Sequence, residues 1–248
     1  FLDIKCRIAG LKPDAVVIVA TVRALKFNGG VPKDQLNSEN LKALEKGLPN
    51  LLRHVSNITE VYNLPAVVAI NAFPTDTEAE LNLIRTKCEE LGVNVALSEV
   101  WAKGGEGGIS LAKEVLELVE KNRDDFEFIY DLRLSIKDKI KVIAKKIYRA
   151  DDVVFDAKVS KTIKQLEELG YGDLPICMAK TQFSFSDNPT LLGAPRNFNI
   201  SVSDVKVNAG AGFIVVRTGN ILTMPGLPKV PAAEHIDIDN DGKITGLF

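Results

Sequence analysis

The chain has 248 residues, 46% of them hydrophobic and 26% charged, which excludes disorder as its main state and supplies core for one large or two modest domains. Lys and Arg number 31 against 33 Asp and Glu, a net charge of −2, so no global field draws the chain to nucleic acid or to an anionic membrane. Three cysteines (Cys6, Cys88, Cys177) without CxxC spacing point to reduced thiols in the cytoplasm and to no zinc site, and no apolar stretch reaches the ~18 residues of a membrane span. Phe1 is not a start methionine and no signal pattern follows it, so the chain is expected to begin inside a longer protein.

After Lys12-Pro13, residues 14–21 (DAVVIVAT) form a Val-rich run that predicts a strand buried on both faces of a parallel sheet. Residues 38–62 carry apolar side chains at helical spacing (Leu41, Leu44, Leu48, Leu51, Leu52, Val55, Ile58), with Ser38 as N-cap and Pro49 as a kink or break. Residues 65–73 (PAVVAINAF) predict a second buried strand. Two overlapping capping boxes, Thr75 with Glu78 and Thr77 with Glu80, then start a helix that runs to Leu91-Gly92. A third strand over 94–101 and a third helix over 109–121 complete a β-α alternation, the signature of a parallel α/β sheet.

The second half is less regular: a short strand over 126–131, a Lys-rich helix over 136–149, a helix over 160–169 ended by Gly170, and a buried strand over 174–180 (LPICMAK). Beyond Asn197 the pattern becomes strands and turns, at 197–207, 212–217, 221–224 and 236–247, with turns at Gly219-Asn220 and Asn240-Asp-Gly242. The fold class is therefore α/β: a mostly parallel sheet of β-α units followed by a smaller mixed α+β C-terminal part with terminal hairpins.

Several groups could carry chemistry. The stretch from Trp101 to Ser110 holds four glycines between a strand end and a helix start, where free N–H groups can face an anion, although it matches neither GxxxxGK[ST] nor GxGxxG. Trp101, the single Trp, and Phe73, followed by Pro74, end adjacent strands; they either sandwich a planar heterocycle or cap the core, and both readings stay open. Lys180, Thr181, Gln182, Ser184 and Ser186 follow a strand and suit phosphate or ribose, as do Thr21 and Arg23, with Gly29-Gly30 giving room to turn. Asp237 to Gly242 imitates the start of a calcium loop, but its position 12 is Phe248 and no helix can follow, so a hairpin turn is expected and no metal site. His54 and His235 lie near no nucleophile motif, and GxSxG and HExxH are absent.

Taken together, KPDAVVIVATVRALK at 12–26, VVAINAFPTDTEAEL at 67–81, LPICMAKTQFSFSDNP at 174–189, GAGFIVVRTGNILTMPGLP at 210–228 and GKITGLF at 242–248 closely resemble the formate–tetrahydrofolate ligase family. One departure is Phe27-Asn28, where the family pattern leads to Met-His. The resemblance implies a P-loop NTPase-like parent fold and a cytoplasmic ligase of one-carbon metabolism. In it ATP with Mg²⁺ activates formate as formyl phosphate, which tetrahydrofolate attacks to give the 10-formyl product. It assigns Phe73 and Trp101 to stacking the pterin, with Pro74 and Leu97 lining the same pocket, and brings Lys180, Gly193 and Ala194 towards the adenine.

Because the family's P-loop lies in its N-terminal half and none is present here, this chain is expected to be the C-terminal part of a homo-oligomeric parent about twice as long. Residues 1–62 are then a remnant of the large nucleotide-binding domain, and 63–248 a C-terminal domain carrying the folate pocket. The missing half is an expected partner, and the isolated chain is expected to be inactive. The rival expectations are a folded scaffold module without its own ligand site, and a generic nucleotide-binding α/β enzyme.

Overall fold

The structure is a computed structural model that describes residues 1–121, 125–221, 230–242 and 244–246. A π-helical turn (Leu2–Cys6) and a short helix α1 (Arg7–Ala9) lead into three β-α units. These are β1 (Val16–Ala20) with α2 (Val22–Asn28) and α3 (Leu41–Ser56); β2 (Ala66–Asn71) with α4 (Glu78–Glu89); and β3 (Asn94–Ser98) with α5 (Val100–Lys103) and α6 (Ile109–Lys121). The strands pair in parallel in the order β1-β2-β3, Val16 opposite Ala66 and Val67 opposite Asn94. Central β2 is buried from Ala66 to Ile70, as its unbroken apolar run requires. β1 pairs with β2 alone among the described residues, and its Val17 and Val19 remain 39% and 66% exposed on the face opposite Ile18.

Ile18, Ala20, Val68 and Ile70 pack against Leu44, Leu48 and Leu51 of α3 and Ile84 of α4. Two glycines permit this layer. A Cβ on Gly29 would lie 1.9 Å from the Ala43 carbonyl oxygen, and one on Gly47 1.8 Å from that of Leu25, so α2 and α3 meet backbone to backbone. Gly29 thus serves close helix approach as well as the turn expected at Gly29-Gly30, where Gly30 has a φ of 97°. Beside this contact, the fully buried Lys26 ammonium lies 2.9 Å from Glu80 and also donates to the Ser38 carbonyl. Glu80 accepts from the N–H groups of Asn40 and Thr77 as well, so one carboxylate joins α2, the cap of α3 and the cap of α4. Burial pushes its pKa up, but Lys26 and these two N–H donors outweigh that and hold it below the usual carboxylate range.

Several boundaries differ from expectation. Asn40, not Ser38, caps α3, its Oδ1 accepting from Ala43 N–H, while Ser38 contributes its carbonyl to Lys26. α3 continues through Pro49 without a break and runs on as a π-helical turn, Asn57–Val61. Of the two capping boxes Thr77–Glu80 forms, starting α4 at Glu78. β3 stops at Ser98, which places Trp101 in α5. Residues 126–131 are not a strand: their aromatic rings cluster with Tyr62 and Arg7, and the Ile129 N–H donates to Asp3 Oδ1 instead of a ladder.

The second sheet has the order β4-β6-β7-β5: β4 (Asp152–Phe155), β5 (Ile176–Ala179), β6 (Asn199–Asn208) and β7 (Phe213–Thr218). β4 runs parallel to β6 and β5 parallel to β7, while β6 and β7 are antiparallel, so the sheet is mixed. β4 is additional to the sequence reading. The Asp156 that follows it caps α8 (Ala157–Glu168), which therefore starts before the expected Ser160. α7 (Ile136–Ile143) is extended by a π-helical turn, Ala144–Tyr148. Its Lys139 is buried and donates to the carbonyls of Leu132, Gly172 and Leu174.

β8 (Asp237–Ile238) and β9 (Ile244–Thr245) form the expected hairpin at Asn240-Asp-Gly242. Residues 222–224 of the strand expected at 221–224 lie outside the described residues. The two clusters of buried side chains follow the two sheets, one spanning Ala20 to Val93 and the other Ile129 to Val216. Positions 62 and 63 lie between α3 and β2, within the stretch that builds the first sheet.

Candidate functional site

Parallel strands end together, so residues just beyond β1, β2 and β3 share one edge of the first sheet, where ligands of open α/β sheets bind. Beyond β2, the Phe73 N–H donates to Asp76 Oδ2 and the Asp76 N–H to the Phe73 carbonyl, a tight turn that leaves Pro74 exposed. Asp76 Oδ1 is buried without a hydrogen-bond partner, and burial, the largest of several influences, raises the pKa of its carboxyl. Beyond β3, α5 presents Trp101, 57% exposed, whose Nε1–H donates to the Ala72 carbonyl at 2.9 Å.

That bond joins the ends of the two strands and sets the rings of Phe73 and Trp101 side by side, centroids 6.3 Å apart and planes 23° from parallel. Leu97, half-buried on β3, sits opposite Ile70, and its carbonyl accepts from Ser110 Oγ. The glycine-rich stretch is a 3-10 turn, Gly104–Gly108, folded back on α5. The Glu99 N–H donates to the Gly107 carbonyl, and a Cβ on Gly107 would lie 2.6 Å from Glu99 backbone atoms. The turn thus fixes the approach of Trp101.

The segment after β5 behaves differently. Lys180 Nζ donates to the carbonyls of Thr181, Ser184 and Ser186 and lies 5.1 Å from the centre of the Tyr148 ring. Ser184 Oγ donates to the Leu191 carbonyl and accepts from Ser186 N–H, and Ser186 Oγ accepts from Asn188 N–H. The groups expected to meet a phosphate hold their own loop instead. Burial pulls the Lys180 pKa down to about 8, with Asp187 opposing.

Lys180 lines a cavity of about 260 Å³ with Asn28, Asn50, His54 and Tyr148. Gly193 lies beside it: its N–H donates to Asn28 Oδ1 at 3.1 Å, and its carbonyl accepts from Asn50 Nδ2 at 2.9 Å. The Pro195 carbonyl accepts from Arg53 Nη1 at 2.9 Å, and that of Ala194 from Nη2 at 3.5 Å. His54 packs on Phe185, ring centroids 4.6 Å apart; burial, then the charges of Lys180 and Arg53, lowers its pKa and favours neutral imidazole.

The structure thus brings Phe73 to Trp101, and Lys180 together with Gly193 and Ala194 through α2 and α3. The polar residues of α3 at this second place were not foreseen, although Asn50, Arg53 and His54 at helical spacing form a stripe that the sequence displays. Thr21 caps α2, its Oγ1 accepting from Ala24 N–H, while the neighbouring Arg23 lines a different cavity. Among the described residues no three His, Cys, Asp or Glu gather to hold a metal, and no helix is long and apolar enough to cross a membrane. All three cysteines are free. The family model described as formate–tetrahydrofolate ligase matches residues 1–248.

Proposed function

The chain belongs to the formate–tetrahydrofolate ligase family, and from that premise we propose that it supplies the pterin pocket of an enzyme joining formate to tetrahydrofolate with ATP. The observation that carries this reading is the Phe73–Trp101 pair, near-parallel and open at the sheet edge. The rings lie with centroids 6.3 Å apart and planes 23° from parallel, and Trp101 is held by its bond to Ala72, so a pterin can lie against the anchored indole with Phe73 beside it. Pro74 and Leu97 would border it, one at the exposed lip and one below.

The residues present do not fit a Mg²⁺–triphosphate site. No P-loop occurs in the sequence, the Lys180 ammonium is occupied by three carbonyls, and no acidic cluster stands ready for a metal among the described residues. We therefore assign phosphate chemistry to a further half of the polypeptide. The edge of β1 away from β2, unpaired among the described residues, is suited to receive it, and Val17 and Val19 are exposed on the adjoining face. In this reading residues 1–62 carry the side facing the nucleotide half and 63–248 the folate pocket. Asn28, Asn50 and Tyr148, with Lys180, Gly193 and Ala194, border the adenine. The parent is cytoplasmic and homo-oligomeric, and the chain alone turns over no formate.

Because Trp101 is the single Trp, its fluorescence tests the pocket directly. Tetrahydrofolate is expected to quench it, and Phe73→Ala to weaken that binding about three- to tenfold, the measure of one aromatic stack. Emission indifferent to folate would favour the scaffold reading, and equal binding by the variant would remove Phe73 from the site.

A further inference from the structure

A second cavity opens along the same sheet edge, about 520 Å³ in volume, between α2 and residues 182–183 of the Lys180 loop. Phe27 and Phe183 form its aromatic walls, ring centroids 6.1 Å apart and planes 59° from parallel, with Leu36 behind them. Two cations reach it: Arg23, half-buried, and Lys33, whose Nζ lies 5.6 Å from the centre of the Phe183 ring. No carboxylate lines the cavity, and neither cation forms an ion pair among the described residues. Apolar walls with two unneutralised cations at the mouth suit an aromatic acid.

Its position relates it to the pterin pocket. α2 starts directly after β1, and β1 adjoins β2, so α2 leaves the sheet at the same edge as the Phe73 turn, one strand away. Arg23 is the least of several influences on the Asp76 carboxyl, whose pKa burial raises and which accepts from the Phe73 N–H. A tetrahydrofolate stacked at Phe73 and Trp101 must lay its remaining part somewhere along this edge. That part is a benzoyl ring bearing a glutamate with two carboxylates.

We propose that the cavity between α2 and residues 182–183 receives the aminobenzoyl-glutamate portion of tetrahydrofolate, its ring against Phe27 and Phe183 and its carboxylates towards Arg23 and Lys33. This rests on the pterin reading above and extends it to the other end of the substrate. Gln182 supplies an amide at the rim for the linking carboxamide.

The test compares tetrahydrofolate with 6-methyltetrahydropterin, which lacks the tail, by titrating Trp101 fluorescence of the purified protein. Tetrahydrofolate should bind at least tenfold more tightly. The Arg23→Gln/Lys33→Gln double variant should bring the two ligands within about twofold while leaving the tetrahydropterin affinity unchanged. Phe183→Leu should lower tetrahydrofolate affinity alone, and circular dichroism of both variants checks that they fold. If the tetrahydropterin binds in a Phe73-dependent way but the tail adds nothing, or its advantage survives both changes, the tail site is overturned and the pterin pocket stands. If neither ligand binds, both fall.

Discussion

At the C-terminal end of β2 the chain leaves Phe73 and Trp101 accessible, each held from behind by one short hydrogen bond, whereas at the end of β5 Lys180, Ser184 and Ser186 turn back onto their own loop. Both segments follow a strand of a parallel pair, where side chains are free of the sheet and available to a ligand. The difference lies in where polarity is satisfied. The aromatic pair rests on a buried scaffold some residues away, the Lys26–Glu80 pair and the cap of α4, so its own faces stay open. The Lys180 loop, though tied to α3 and to β6 through Phe185 and Asp187, commits its functional-looking groups to its own carbonyls. Polar side chains at a sheet edge are evidence for a site only when they are not already committed to the backbone.

The largest expected effect comes from removing the scaffold under the open edge. Glu80→Ala leaves the Lys26 ammonium buried and unpaired, and should cost about 3–5 kcal/mol in urea unfolding. Replacing both partners by Met should cost clearly less; equal costs would mean that the pair does not support the edge. Lys180→Met strips three carbonyls of their donor and should cost roughly 1.5–3 kcal/mol. It also has a pH signature. The folded pKa of Lys180, about 8, lies below that of the unfolded chain, so between pH 8 and 10 the unfolded state holds more protons and this group makes stability rise with pH. The stability difference between wild type and variant should therefore widen over that range, since other titrating groups cancel in the subtraction. A pH-independent difference would place the ammonium in solvent.

Gly107→Ala forces the 3-10 turn off α5 and should cost about 1–3 kcal/mol while shifting the Trp101 emission. Unchanged emission would separate that turn from the aromatic pair. Smallest of all, Trp101→Phe loses one exposed hydrogen bond to Ala72, under about 1 kcal/mol by thermal unfolding, and keeps an aromatic face for stacking.

Much of the first sheet could be read from the chain because its signals are local. β2 is an uninterrupted apolar run, Thr77 and Glu80 are three residues apart, and α6 has the limits that its periodicity sets. The strand expected over 126–131 failed because Phe126, Phe128 and Tyr130 have strand composition but pack as a cluster around Arg7 and Tyr62, contacts that span more than 60 residues. A short hydroxyl residue before an apolar stripe signals a cap at Ser38, and nothing nearby discloses Lys26 taking its carbonyl. The stacked pair at Phe73 and Trp101 was legible as a possibility from strand ends alone. The inward turn of Lys180 was not, because Lys and Ser serve a phosphate and a backbone carbonyl equally well. The Asn50–Gly193 bond, joining residues 143 apart, lies beyond any local pattern.

Lys139, sealed beneath the carbonyls of Leu132, Gly172 and Leu174, has a consequence for chemical labelling. Burial lowers its pKa, with Asp173 and Glu167 opposing, yet the amine has no path to a reagent while α7 stays docked on the second sheet. An acylating agent will mark the exposed lysines of the chain at once and reach Lys139 only when this part of the molecule opens. Its rate of modification would therefore count opening events in the native protein, a clock for the second core that needs no denaturant.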